Sequence, residues 1–183
     1  MASAELAGRI AARFPSASIV PVESNVGGIL VDRASLVDIC VFLRDDSACR
    51  FDYPASLTAI DYLDYFEVVY QVRSLARGED ATLRCRVPRD DAQVPSVTAI
   101  WSGADFQERE IFDLMGITFP GHPNLRRILL WDEFIGHPLR KDFGLPAPLP
   151  PAVQEALDRE GVAAANVIGH TPPGPRALDR RAS

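Results

Sequence analysis

Tyr65-Phe66-Glu67-Val68-Val69-Tyr70-Gln71-Val72-Arg73 is the stretch whose reading decides the fold. Phe66, Val68, Tyr70 and Val72 fall on one side of a period-two pattern. Glu67, Val69, Gln71 and Arg73 fall on the other, which is mostly polar. That pattern describes a strand with one face on a core. Residues 81–87 repeat it: Leu83, Cys85 and Val87 alternate with Thr82, Arg84 and Arg86. Between the two runs, Arg77-Gly78-Glu79-Asp80 supplies hairpin-turn chemistry. Further strands are predicted at residues 18–22, 29–32, 56–61 and 97–101, with Asn25, Gly27 and Gly28 turning the chain between the first two.

Helical spacing appears outside this block. Leu6, Ile10 and Phe14 recur every four residues until Pro15 stops the run. Ser35 is placed to cap a second helix whose apolar face holds Leu36, Ile39, Cys40 and Leu43. A third helix is predicted to begin near Ser102 or Asp105, with Asp105 and Glu108 in the form of a capping box. Its buried stripe is Phe106, Ile111, Leu114 and Met115; Arg109 and Asp113 stand i, i+4 and can pair; Gly116 ends it. Strands and helices do not alternate regularly, and neither GxGxxG nor GxxxxGK[ST] occurs. The fold class is therefore α+β: a largely antiparallel sheet with flanking helices, followed by an extended irregular C-terminal arm. The expected divisions are a core domain over 1–119, a basic arm with two GHP tripeptides over 120–145, and a Pro-rich tail over 146–183 that is expected to be poorly ordered alone and to hold a short helix over 152–159.

A net charge of -6 argues against a nucleic-acid partner, whose footprint is a basic stripe. No apolar run approaches the roughly 20 residues a membrane-spanning helix needs. The first residues lack the basic-then-apolar pattern of a secretory signal. Cys40, Cys49 and Cys85 form no CxxC pair, so they read as reduced thiols of a cytoplasmic protein, Cys40 and Cys85 as small buried hydrophobes. An iron–sulfur site needs about four clustered thiolates, which this chain does not supply.

The candidates for chemistry are few. His122 and His137 suggest a metal or a general base, but a zinc site needs three or four protein ligands and none lies nearby in sequence. Each is followed by proline and reads as a structural or interface histidine. Glu108 and Glu110 project about 200° apart on a helix, so they do not converge on one substrate. Glu110 and Asp113 are one turn apart, and with Arg109 they read as an ion-pair network. A free-standing metal enzyme built on His122, His137 and Asp113 is the rival from another class. The arm carries the stronger signal. Arg126, Arg127, Arg140 and Lys141 surround the apolar residues 128–131 and 134–135, as anchors for a partner surface would. The plainer reading has the arm fold back on its own domain.

The run from Glu108-Arg109-Glu110 through Asp113, Leu114 and Gly116-Ile117 to Phe119, followed by Gly121-His122-Pro123-Asn124-Leu125-Arg126-Arg127-Ile128-Leu129, resembles the signature of the respiratory complex I 30 kDa family, which is the C subunit of NADH–quinone oxidoreductase. Gly136-His137-Pro138-Leu139-Arg140-Lys141-Asp142-Phe143 resembles its second half, and the likeness extends back to Phe51. Gly144 stands where that family usually has proline, and the chain after Leu145 departs from the common tail. The resemblance implies a non-catalytic scaffold in the peripheral arm of a proton-translocating NADH–quinone oxidoreductase. It implies packing against the D subunit, with the B and I subunits as neighbours, near the quinone-reducing module and on the cytoplasmic face of the cell membrane. FMN, iron–sulfur clusters and quinone are then held by partner subunits, none by this chain. The signature residues expected at an interface are Glu108, Arg109, Glu110, Asp113, Gly116, His122, Arg126, Arg127, His137, Arg140, Lys141 and Asp142. The equivalent component of a ferredoxin-linked or membrane-bound [NiFe]-hydrogenase complex is similar in the arm motif and is the close alternative.

Overall fold

The computed structural model of the chain describes residues 3–23, 27–132 and 134–144. In chain order these hold α1 (Ser3–Arg13), β1 (Ile19–Pro21), β2 (Ile29–Val31), α2 (Leu36–Asp45), β3 (Tyr53–Asp61), β4 (Tyr65–Ser74), β5 (Glu79–Pro88) and α3 (Ala104–Met115). The five strands form one sheet in the order β1-β2-β5-β4-β3. Neighbouring strands are antiparallel except for β2 and β5, which run parallel. The fold is the expected α+β class.

The period-two pattern of β4 translates directly into packing. Phe66, Val68, Tyr70 and Val72 are buried, and their partners in β5 are Val87, Cys85, Leu83 and Ala81. This face joins Ile29 and Val31 of β2, Leu6 and Ile10 of α1, Leu36, Ile39 and Leu43 of α2, and Ile111 and Met115 of α3 in one core. Truncating one of these large aliphatic side chains to Ala removes about 2–5 kcal/mol. The other face is less open than its polarity suggested. Glu67 is buried there between Arg84 (2.7 Å) and Arg86 (2.7 Å), which sit in β5 on either side of the partner of Val68. All three cysteines are buried free thiols, and burial pushes Cys85 up to about 12 and raises Cys40 further.

Several local expectations do not hold. Residues 97–101 form a turn in place of a strand, closed by Ile100 and Trp101 N–H groups on Val97 O. The extended pairing lies just before it, where Val94 N donates to Thr118 O and Ser96 N to Pro120 O. Val97 and Trp101 are buried, the Val97 amide is taken by a side chain of α3 and the Trp101 indole donates to Phe51 O. The β4–β5 turn comes earlier than expected, since Glu79 and Asp80 already pair with Ser74 and Arg73. Ser35 caps α2 without its side chain; Asp32 accepts from the Ser35 N–H instead. The tail beyond residue 144, with the short helix expected over 152–159, lies outside the described residues.

Candidate functional site

α3 carries the first half of the signature, and most of its polar groups hold another segment of the chain. Glu108 does not form a capping box; Gly103 is the N-cap and no side-chain cap bond is made. The Glu108 carboxyl is fully buried instead, accepting 2.7 Å hydrogen bonds from the Val97 N–H and the Ser96 hydroxyl. Burial raises it, and those two donors only partly offset the shift. Phe106, expected in the buried stripe, is 67% exposed, with Arg109 stacked over its ring at 5.5 Å. The helix turns Glu108, Arg109 and Asp113 inward because donors and acceptors wait for them there, and Phe106 is left outside.

The pair expected between Arg109 and Asp113 is not formed. Arg109 reaches the arm's main chain, donating to Arg126 O (3.1 Å) and Arg127 O (3.3 Å). Asp113 takes the amides that follow: one oxygen accepts from Ile128, Leu129 and Leu130 N–H groups at 3.0, 2.8 and 2.9 Å, and the other from Arg127 at 3.1 Å. Burial alone would raise this carboxyl, but the three amides and Arg127 outweigh it and hold it below its ordinary value. Glu110 is exposed and shares no site with Asp113.

The second GHP segment closes the C-terminus of the same helix. The last carbonyls of a helix have no partner within it. Here Asp113 O accepts from the His137 ring (2.9 Å), Leu114 O from Leu139 N (3.0 Å) and Met115 O from Arg140 Nε (2.6 Å). Because a carbonyl only accepts, the His137 ring proton sits on Nδ1, and burial lowers the pKa of this imidazole. Arg140 brings a full positive charge to the negative end of the helix dipole. Gly116 makes this approach feasible. Its φ is 69°, and a Cβ there would lie 2.6 Å from Arg140 Nη2 and collide with His137. The first GHP turn acts nearer the other end. The His122 side chain is fully buried, accepts at Nδ1 from Asn124 N (3.0 Å) and donates from Nε2 to Asp105 O (3.2 Å).

A third anchor, which sequence spacing did not single out, ties the end of the arm to the sheet. Asp61, a buried position at the end of β3, accepts from Leu63 N (2.7 Å), Lys141 N (2.9 Å) and Arg89. Arg89 also bonds Asp142 at 2.8 Å. Arg89 and Arg140 both lie over the Phe66 ring, at 4.7 and 5.1 Å. The signal available was an acidic residue closing a predicted strand, which demands donors if the strand end is covered.

The arm therefore folds back onto its own domain largely through polar groups, while four of its large apolar side chains face out. Leu129, Trp131, Ile135 and Leu139 are 61%, 44%, 76% and 57% exposed. Arg126 makes no ion pair among the described residues; Arg127 is committed to Asp113. His122, His137 and Asp113 are joined to different backbone groups, and among the described residues no group of three or more His, Cys, Asp or Glu could hold a metal ion. No helix among them is long and apolar enough to cross a membrane.

A core whose signature residues clamp an outward-facing apolar arm has the form of one component of a larger assembly. The chain belongs to the family described as the respiratory-chain NADH dehydrogenase 30 kDa subunit, whose model matches residues 29–148. It is 40% identical over 139 residues to the C subunit of NADH-quinone oxidoreductase from Geobacter sulfurreducens, covering 73% of this chain and 85% of that one. It is 50% identical over 123 residues to the one from Moorella thermoacetica, covering 66% and 82%. Among solved structures it resembles the trypsin-resistant fragment (1–134) of Nqo5, with a TM-score of 0.54 at 29% identity, covering 67% of this chain and 98% of the fragment. It shares its fold with a chain of the membrane-bound sulfane sulfur reductase, an archaeal respiratory membrane complex (TM-score 0.63, 22% identity, covering 87% and 91%).

Proposed function

We propose that this chain is a non-catalytic scaffold of a proton-translocating NADH–quinone oxidoreductase, and that it packs through its arm against the D subunit, with the B and I subunits nearby. One observation carries this reading. Most of the signature residues are engaged in holding the arm to α3 and β3, so what they offer a partner is chiefly the exposed apolar side chains they display, with the Arg126 guanidinium and the Lys141 ammonium beside them. An apolar ridge of this kind, on a chain with few residues placed for chemistry, fits a permanent interface. On this reading FMN, iron–sulfur clusters and quinone are bound by partner subunits, and the chain reaches the cytoplasmic face of the membrane only through the complex.

The test is purification of the tagged chain from native membranes in mild detergent, followed by mass spectrometry of what accompanies it. Recovery with the D subunit and an NADH-oxidising flavoprotein is the expected outcome. Recovery with hydrogenase proteins and no NADH module would assign the chain to the alternative complex, and recovery alone would remove the scaffold role.

A further inference from the structure

We infer that the tip of the β3–β4 hairpin is a second contact surface, reaching the same neighbouring protein that receives the arm. The occupant is a protein surface with an aliphatic recess rimmed by carboxylates. The inference rests on the docking role proposed above and extends it to a part of the fold outside the arm.

The hairpin closes with Tyr62 N donating to Tyr65 O, leaving Leu63 and Asp64 as a two-residue loop. Leu63 has a φ of 70°. A first loop position with positive φ is one that glycine fills without strain and a branched apolar side chain does not. The chain nevertheless puts leucine there and leaves it 55% exposed. A strained, solvent-facing leucine adds little to its own core, so its side chain has a use elsewhere.

The surroundings make this tip rigid and continuous with the arm. The Asp61 carboxylate receives both Leu63 N and Lys141 N, so one buried group fixes the hairpin tip and the arm's end together. Tyr62 and Tyr65 are stacked at 4.9 Å, with Lys141 6.0 Å from the first ring and Arg86 5.0 Å from the second. The exposed Leu139 lies two residues before Lys141. The Lys141 ammonium has no carboxylate partner among the described residues, and Arg86 is half-exposed. On its Lys141 side, an apolar tip flanked by a cation without a carboxylate partner is complementary to an apolar recess with an acidic rim, while the exposed Asp64 beside Leu63 calls for a donor elsewhere on that recess. Both sides of the tip are held by the same buried carboxylate, a tether that lowers the entropic cost of docking.

The experiment places Leu63→Gly and Leu63→Asn in the full chain in native membranes and quantifies incorporation into the high-mass complex on native gels, beside Ile135→Ser on the arm. Both Leu63 replacements tolerate a positive φ, so the purified full-length variants should melt no lower than the original. Incorporation should fall about tenfold, the loss typical of an anchoring side chain. Wild-type incorporation of both Leu63 variants, with Ile135→Ser reduced, would overturn this inference and leave the arm reading standing. Wild-type incorporation of all three would remove both. Melting lowered in both Leu63 variants would assign Leu63 to the chain's own stability and equally overturn it. For the acidic rim, salt should release the original chain more readily than Lys141→Gln; equal sensitivity would refute that part.

Discussion

The Asp113 carboxylate lies fully buried among three main-chain N–H groups and Arg127, an arrangement that works only while it is charged. Its folded pKa and that of Asp61 lie below the ordinary value of 3.8. The sign follows from proton linkage. A carboxyl with a lowered folded pKa contributes stability that is present above its unfolded value and lost as pH falls through the folded value. Glu108 acts in the opposite sense, since its raised pKa favours the folded state at lower pH. The expected outcome is an acid limb in unfolding free energy beginning near the ordinary carboxylate value of 3.8, and Asp113→Asn should flatten it. At neutral pH that substitution should destabilise the chain by about 2–3 kcal/mol, the loss associated with hydrogen bonds to a buried charge. Urea titrations in acid and at neutral pH would check both. An unchanged acid limb would show that other carboxylates govern it.

At the scale of elements, the sheet was legible because burial on one face imposes a period of two, and α1 and α2 because their apolar spacing is helical. α3 was located correctly, and Ile111 and Met115 are buried as expected, but the rest of its inward face was misread. Period-based reading assumes that apolar side chains point in and charges out, and here Glu108 and Asp113 point in while Phe106 points out. Their partners, Ser96 and Val97 on one side and residues 127–130 on the other, lie 11–17 positions away, beyond the reach of local spacing. The intramolecular partners of the arm's basic residues were out of reach for the same reason. Arg127 and Arg140 look like free charges in sequence, and the fold commits them to a carboxylate and to helix carbonyls. Gly116 was read as a simple helix stop, yet its second task is to admit His137 and Arg140. Gly116→Ala should therefore cost more than the roughly 1–2 kcal/mol of a left-handed alanine, because the arm must also shift. In an Arg140→Ala background part of that excess should vanish, giving a non-additive cycle in thermal melts. Strict additivity would mean that the helix cap and the arm are independent.

For the whole molecule, the clamp separates two kinds of arginine that adjoin in sequence, and this separation gives the sharpest test of how the chain is built. Arg127 pairs with Asp113 and is mostly covered, so Arg127→Ala leaves a buried carboxylate short of its cation. That loss should destabilise the purified chain by about 1–3 kcal/mol. Arg126 contributes its carbonyl to the clamp, and its guanidinium makes no ion pair among the described residues, so Arg126→Ala should change stability by no more than about 0.5 kcal/mol. Assembly should respond differently. Arg126→Ala should lower incorporation into the membrane complex at unchanged stability, as expected for a charge at the rim of an interface. Arg127→Ala should lower it in proportion to the arm's loss of order. Replacing both together, without the single variants, would confuse the two effects, so the measurement pairs urea unfolding with native-gel incorporation for each. If Arg126→Ala assembles normally, the polar face of the arm serves only to hold it in place, and recognition rests on the apolar ridge from Leu129 to Leu139 and whatever adjoins it.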